Sequence, residues 1–208
     1  MVAKKNPHHA SIVFLRKDKR LGKFVKQHGP IEHRREHSMD AFQSLAEAII
    51  YQQLSGKAAA TILKRFIALF PGKFPTPAQV LKIKTEKLRT AGVSGQKASY
   101  LKDLALKFTD GTIDERKFHN MSDEEITEHV TAVKGIGTWT AHMFLMFTLA
   151  RPDVLPTGDL GIQKGFKKLF GLRSLPSPER MILLSNPWKG HRTVACMYLW
   201  RYVDIKEQ

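Results

Sequence analysis

One cysteine, Cys196, is all that a chain of 208 residues carries. No intrachain disulfide can form, and a four-cysteine zinc or iron–sulfur site is excluded. No apolar run comes near the roughly 18 residues that suggest a membrane span, and the opening MVAKKNPHHA lacks the apolar core of a secretory signal. Acidic residues are scarce too: 19 Asp plus Glu face 34 Lys plus Arg, a formal charge of +15. Alternating strand patterns, low-complexity linkers and internal repeats are missing as well. These absences argue against a disulfide-stapled secreted scaffold and a membrane protein. They leave the expectation of a soluble intracellular chain, in cytoplasm and nucleoid or in a nucleus, whose charge favours a polyanionic partner.

What is present is apolar and periodic. Hydrophobic residues make up 42% of the chain, enough for a real core. Phe42, Leu45, Ala46, Ile49 and Ile50 recur at helical spacing, as do Ala59, Ile62, Leu63, Phe66 and Phe70 ahead of Pro71-Gly72. Thr76-Pro77-Ala78-Gln79 and Ser122-Asp123-Glu124-Glu125 both have the form of a capping box. From Thr138 to Ala150 apolar residues fall on every face, which predicts a helix buried on most sides. The reading is an all-α protein of about ten helices. Its basic residues cluster in 1–37 (Lys4, Lys5, Arg16, Lys17, Lys19 and Arg20 among them) and again at Lys164, Lys167, Lys168 and Arg173. Eight of the histidines (His8, His9, His33, His37, His119, His129, His142, His191) show no metal-ligand spacing.

Two stretches carry chemistry. In VKGIGTWTAHMF the glycines 135 and 137 flank Ile136 between two helices, a turn that can aim consecutive backbone amides and a helix N-terminus at one phosphate, with Lys134 adding charge. Taken alone, Gly-x-Gly is more often an ordinary interhelical turn. In PTGDLGIQKG a single carboxylate, Asp159, stands where the next helix opens. Taken alone, that position is more often just an N-cap.

Together the stretches are more specific. Residues 130–166 resemble the helix-hairpin-helix, Gly/Pro loop and aspartate signature of the HhH-GPD DNA glycosylase superfamily, with Gly137 and Asp159 22 positions apart. EAIIYQQLSGKAAATI (47–62), AGVSGQKASYLKDLA (91–105) and PWKGHRTVACMYLWR (187–201) resemble its alkylbase branch, the 3-methyladenine DNA glycosylase II group. The resemblance spans about 38–202. It implies two helical lobes with a cleft between them: a central bundle at 38–148 including the hairpin, and a second lobe of 1–37 plus 149–208 carrying the aspartate.

The resemblance also implies roles. Asp159 is the catalytic carboxylate, stabilising the positive charge that builds on deoxyribose as the base leaves. Trp139, Met143 and Trp188 line the base pocket; Trp200 is a further candidate cleft aromatic, with core packing the favoured reading of it. Lys134, Gly135, Ile136, Gly137 and Thr138 hold DNA phosphate; Gln52, Gln53 and Leu54 fill the space vacated by the flipped base; Ser94, Gly95, Gln96 and Lys97 touch backbone phosphate. Carbonyls of Thr131, Val133 and Gly135 match those that hold a structural Na+ or K+ in family members, and no cofactor is required. Bifunctional relatives place a lysine nucleophile where this chain has Trp139, so a monofunctional hydrolase is expected. Its partner is double-stranded DNA with a damaged base, its substrates purines of the 3-methyladenine and 7-methylguanine type, and its expected state a monomer without membrane contact. Two other readings stay open: a non-catalytic or weakly active DNA-damage-binding scaffold of the same fold, and a glycosylase for hypoxanthine or uracil.

Overall fold

A computed structural model of the chain describes residues 6–31 and 40–205. Lys4, Lys5, Arg34, Arg35, His33 and His37, and the expected lobe boundary at 37/38, lie outside the described residues. Those residues form helices and no strand, and no described helix is long and apolar enough to cross a membrane. The chain divides into two compact units, one of Met1–Arg35 with Ala150–Gln208 and one of Glu36–Leu149.

The Glu36–Leu149 unit begins with α3 (Ala41–Tyr51) and α4 (Gly56–Ile67) and continues through α5 (Pro77–Lys82), α6 (Thr85–Thr90) and α7 (Gly95–Thr109). Helices α8 (Asp123–Thr131) and α9 (Thr138–Met143) follow a 3-10 turn at Glu115–Asn120. Phe42, Leu45, Ala46 and Ile49 of α3 are buried, as are Leu101, Leu104 and Ala105 of α7. Aromatic edges close this core, Phe42 meeting Phe108 at 5.4 Å and Phe66 meeting Phe70 at 5.3 Å between ring centroids. Both capping boxes form reciprocally, at Thr76 with Gln79 and at Ser122 with Glu125; removing such a cap costs about 1 kcal/mol. The stretch expected as one long helix from Thr138 is instead α9 followed by a single π-helical turn, Phe144–Thr148, which ends at Ala150 with φ +53°. Wider π geometry inserts an extra residue into the turn, and there Phe144, Leu145 and Met146 are all buried.

The other unit holds α1 (His9–Leu15), α2 (Gly22–His28), α10 (Leu160–Phe170), α11 (Pro178–Leu184) and α12 (Arg192–Asp204). Seven consecutive residues of α12, Thr193–Leu199, are buried, so this helix is enclosed rather than amphipathic. Thr193 fixes its start by donating its hydroxyl to Arg151 O and accepting the Val154 amide. Tyr198 donates its hydroxyl to Gly29 O at 2.9 Å, tying the end of α2 to this helix. Asp159 caps α10, and Gly171 closes it in the left-handed conformation at φ +62°.

Candidate functional site

The hairpin turn runs from the end of α8 to the start of α9 and is anchored from inside. Val133 and Ile136 are buried, while Lys134, Gly135, Gly137 and Thr138 are exposed. Gly135 takes φ +81°, and a Cβ there would sit 2.1 Å from the Tyr100 ring. The turn is braced twice from distant parts of the same unit: Lys134 N–H donates to Asp103 Oδ2 at 2.8 Å, and Gln52 Nε2 donates to Gly135 O at 2.7 Å. Gly137 is the N-cap of α9, carries no capping side chain, and its missing Cβ faces open space. A phosphate can therefore approach the positive end of this helix without steric obstruction.

Gln52 and Gly135 also border a hollow of about 350 Å³ with Gln53, Leu54, Ser94 and Tyr100. Leu54 is exposed, and Gln53 holds φ +55°, a left-handed conformation that is uncommon outside glycine. Ser94 caps α7 by accepting the Lys97 amide, and Gly95 and Gln96 are exposed beside it. Lys97 requires a correction. Its ammonium donates to Ile50 O at 2.7 Å and Gln52 O at 2.8 Å, closing the carbonyl end of α3, and burial lowers its pKa. With two of its three N–H donors on these carbonyls, it is expected to shape the 52–54 turn rather than reach a phosphate. Lys97→Met should thus destabilise the fold by about 1.5–3 kcal/mol, measured by urea unfolding. The slope of log DNA affinity against log salt should stay at its wild-type value, whereas losing a true phosphate contact would reduce it by about 0.9.

Asp159 belongs to the other unit. Its approach is held by the Asp159 amide donating to Pro156 O and by Gln163 Nε2 donating to Thr157 O. The half-buried carboxylate accepts two bonds at Oδ1, from the Ile162 amide at 2.8 Å and from Trp200 Nε1 at 2.9 Å. Trp200, a candidate cleft aromatic with core packing as its favoured reading, is therefore a partner of the carboxylate. Gly161 is in close contact with the pair, for a Cβ there would meet Trp200 Cδ1 at 2.8 Å and Asp159 Oδ1 at 3.1 Å. Cys196 lies one turn earlier on α12, and burial, reinforced by the Asp159 charge, pushes its thiol pKa up. A thiol so rarely ionised is no nucleophile.

The aromatic candidates separate. Trp139 is 53% exposed at the start of α9, and Met143 is half-buried one turn on. Trp188 is 1% exposed and packs against Phe166 and Phe170 with centroids 5.5 and 6.0 Å away. It is a core residue, correcting its expected place in a base pocket. Among the described residues no group of three His, Cys, Asp or Glu could hold a metal. The monovalent-ion carbonyls are partly engaged, since Val133 O accepts the Ile136 amide and Gly135 O the Gln52 amide. A carbonyl oxygen has two lone pairs, so the donor set still fits an ion.

His142 gives the hairpin unit a pH dependence. Burial lowers its pKa from the ordinary 6.5, against a weaker upward pull from Asp123. The folded protein then takes up this proton less readily than the unfolded chain. The stability it contributes is fully present above the unfolded pKa and is lost as pH falls through the lowered folded value. Between about pH 7 and 5 wild type should lose more stability than His142→Gln, as read by urea unfolding across that range.

Residues 46–189 match the model of the HhH-GPD superfamily base excision DNA repair proteins. The chain is 36% identical over 185 residues to DNA-3-methyladenine glycosylase 1 of Schizosaccharomyces pombe, covering 88% of this chain and 80% of that protein. Among solved structures, DNA-3-methyladenine glycosidase from Bacillus halodurans superposes with a TM-score of 0.85 at 36% identity, covering 96% of this chain and 90% of that one. The S. pombe 3-methyladenine DNA glycosylase Mag1 in complex with abasic DNA gives 0.80 at 32% identity, covering 94% and 97%. The family model spans well over half of this chain and takes in both the helical hairpin with glycines at 135 and 137 and, 22 positions after the second, the capped and indole-bonded carboxylate; the chain belongs to the HhH-GPD superfamily of base excision DNA repair proteins.

Proposed function

We propose that the chain is a monofunctional DNA glycosylase that binds damaged duplex DNA as a monomer, flips alkylated purines of the 3-methyladenine and 7-methylguanine type, and removes them by hydrolysis. The observation that carries this reading is the single carboxylate of Asp159, oriented by the Ile162 amide and the Trp200 indole. Breaking the base–sugar bond builds positive charge on the deoxyribose. A fixed anion opposes that charge, and the same oxygen pair can orient or deprotonate the attacking water. A purine methylated at N3 or N7 is already a cation and leaves without a dedicated general acid.

The other roles follow from chemistry. Exposed Trp139 offers an electron-rich face on which a cationic base stacks. The amides at Gly137 and Thr138 take a phosphate, and Gln53 and Leu54 enter the gap left by the flipped nucleotide. A Na+ or K+ on the carbonyls of Thr131, Val133 and Gly135 would add positive charge next to that phosphate.

Single-turnover release from duplexes carrying 7-methylguanine, ethenoadenine, hypoxanthine or uracil tests the substrate class. Release of the cationic 7-methylguanine is expected, with none of neutral hypoxanthine or uracil; tight binding with no release from any duplex would instead mean a damage-binding scaffold. Borohydride should trap no covalent DNA adduct, because Trp139 stands where a Schiff-base lysine would.

A further inference from the structure

Several large apolar side chains are exposed among the described residues, Leu106 of the Glu36–Leu149 unit among them. Tyr51, Leu54, Trp139 and Leu160 lie in or beside the motifs already discussed. Val13, Phe14, Leu175, Ile182 and Leu183 do not, and all five belong to the Met1–Arg35 and Ala150–Gln208 unit. Phe14 and Leu183, 41% and 56% exposed, border a groove of about 620 Å³ whose apolar lining also includes Phe170, Leu184 and Pro187. That volume is typical of a ligand cleft, and contiguous apolar surface on a monomer marks an interaction site more often than chance exposure.

The groove is preformed. Phe14 packs against His191 in a tilted ring pair with centroids 4.2 Å apart, His191 is hydrogen-bonded to Ser11, and the Arg20 guanidinium lies 5.7 Å from the Phe170 ring centroid. Lys17, Lys19 and Arg20 supply its rim. The one carboxylate there, Asp18, already accepts the amides of Arg20 and Leu21 at 2.9 and 2.7 Å. The rim therefore presents three cations and one carboxylate turned to backbone amides, a net positive charge over an apolar floor.

We propose that this groove docks a short acidic segment of another protein that carries large aliphatic or aromatic side chains. Two such anchors would fill the floor while flanking Asp or Glu residues meet Lys17, Lys19 and Arg20. Duplex DNA suits the rim but leaves the floor unused, since phosphates want donors and not Leu or Phe. A second copy of this chain would bring cation against cation.

The test uses the full chain and two short fluorescein-labelled peptides, one of Asp and Glu with Leu and Phe at helical spacing, the other with Ser in place of Leu and Phe. Anisotropy should show binding of the apolar acidic peptide alone, weakened by about tenfold or more in Leu183→Glu and again in Lys19→Glu. Leu183 is exposed enough to accept a charge without unfolding, so base release and duplex affinity should hold in L183E. The proposal is overturned by equal binding of the Ser peptide, by no binding of either, or by unchanged binding in Leu183→Glu. It also fails if that variant loses duplex affinity, which would make this a DNA face, or if it abolishes a dimer seen by sedimentation, which would make the occupant a second copy. None of these outcomes depends on Asp159, so failure here leaves the glycosylase reading standing.

Discussion

Asp159→Asn should release 7-methylguanine from duplex DNA at least about 10²–10³-fold more slowly than wild type, the loss expected when a preorganised electrostatic stabiliser is removed from a transition state. Its affinity for the duplex should be unchanged. The substitution is clean because Asn is as good an N-cap as Asp and keeps an oxygen for the Ile162 amide and the Trp200 indole. What goes is the charge and one acceptor oxygen, replaced by an NH2 donor. Asp159→Ala removes the cap as well and should cost about 1 kcal/mol of stability besides, so urea unfolding of the two variants separates orientation from fold. Single-turnover release by Asp159→Asn at the wild-type rate would remove the mechanism proposed for this chain.

Gly135→Ala should be the most destabilising single-methyl change in the hairpin, about 2–5 kcal/mol: roughly 1–2 for left-handed backbone on a non-glycine residue and 1–3 for overpacking. The residue holds φ +81°, and the added carbon would sit 2.1 Å from the Tyr100 ring. Such a loss is a large share of an ordinary domain's stability. Adding Tyr100→Ala to it should recover the overpacking part and leave the backbone part. Gly137 differs, with φ −97° and nothing within 4 Å of its would-be Cβ. Gly137→Val should lose only about 0.5–1 kcal/mol, as a poorer N-cap, yet bind duplex DNA more weakly and with a flatter salt dependence. Equal DNA binding by Gly137→Val and wild type would mean that the turn does not hold phosphate.

The contrast between these glycines shows what a sequence conveys. Gly-x-Gly between two helical patterns marked the hairpin, and local rules located both capping boxes and the Asp159 start of α10. Those features depend on residues three or four apart. Which glycine serves the fold and which faces outward depends on Tyr100, 35 positions away. Lys97 reached the carbonyls of Ile50 and Gln52 across 47 and 45 positions, and Trp200 reached Asp159 across 41. An exposed lysine near a glycine looks like a phosphate ligand, and a tryptophan on an apolar helix looks like core, until the chain folds. Trp188 erred the other way, its neighbours Phe166 and Phe170 lying a helix away. The π turn at Phe144–Thr148 had no signature, because an all-apolar run fits either helical width. Helices α1 and α2 were masked by the density of lysine and arginine in 11–26.

Gly161, wedged beside the indole and the carboxylate, carries no functional group, yet the bond between them needs its smallness. One methyl there would prise Trp200 off Asp159 while every reactive atom of the protein stayed in the sequence. Alanine at 161 is therefore expected to slow base release although Asp159 stays in the sequence, an outcome that single-turnover release against wild type would read.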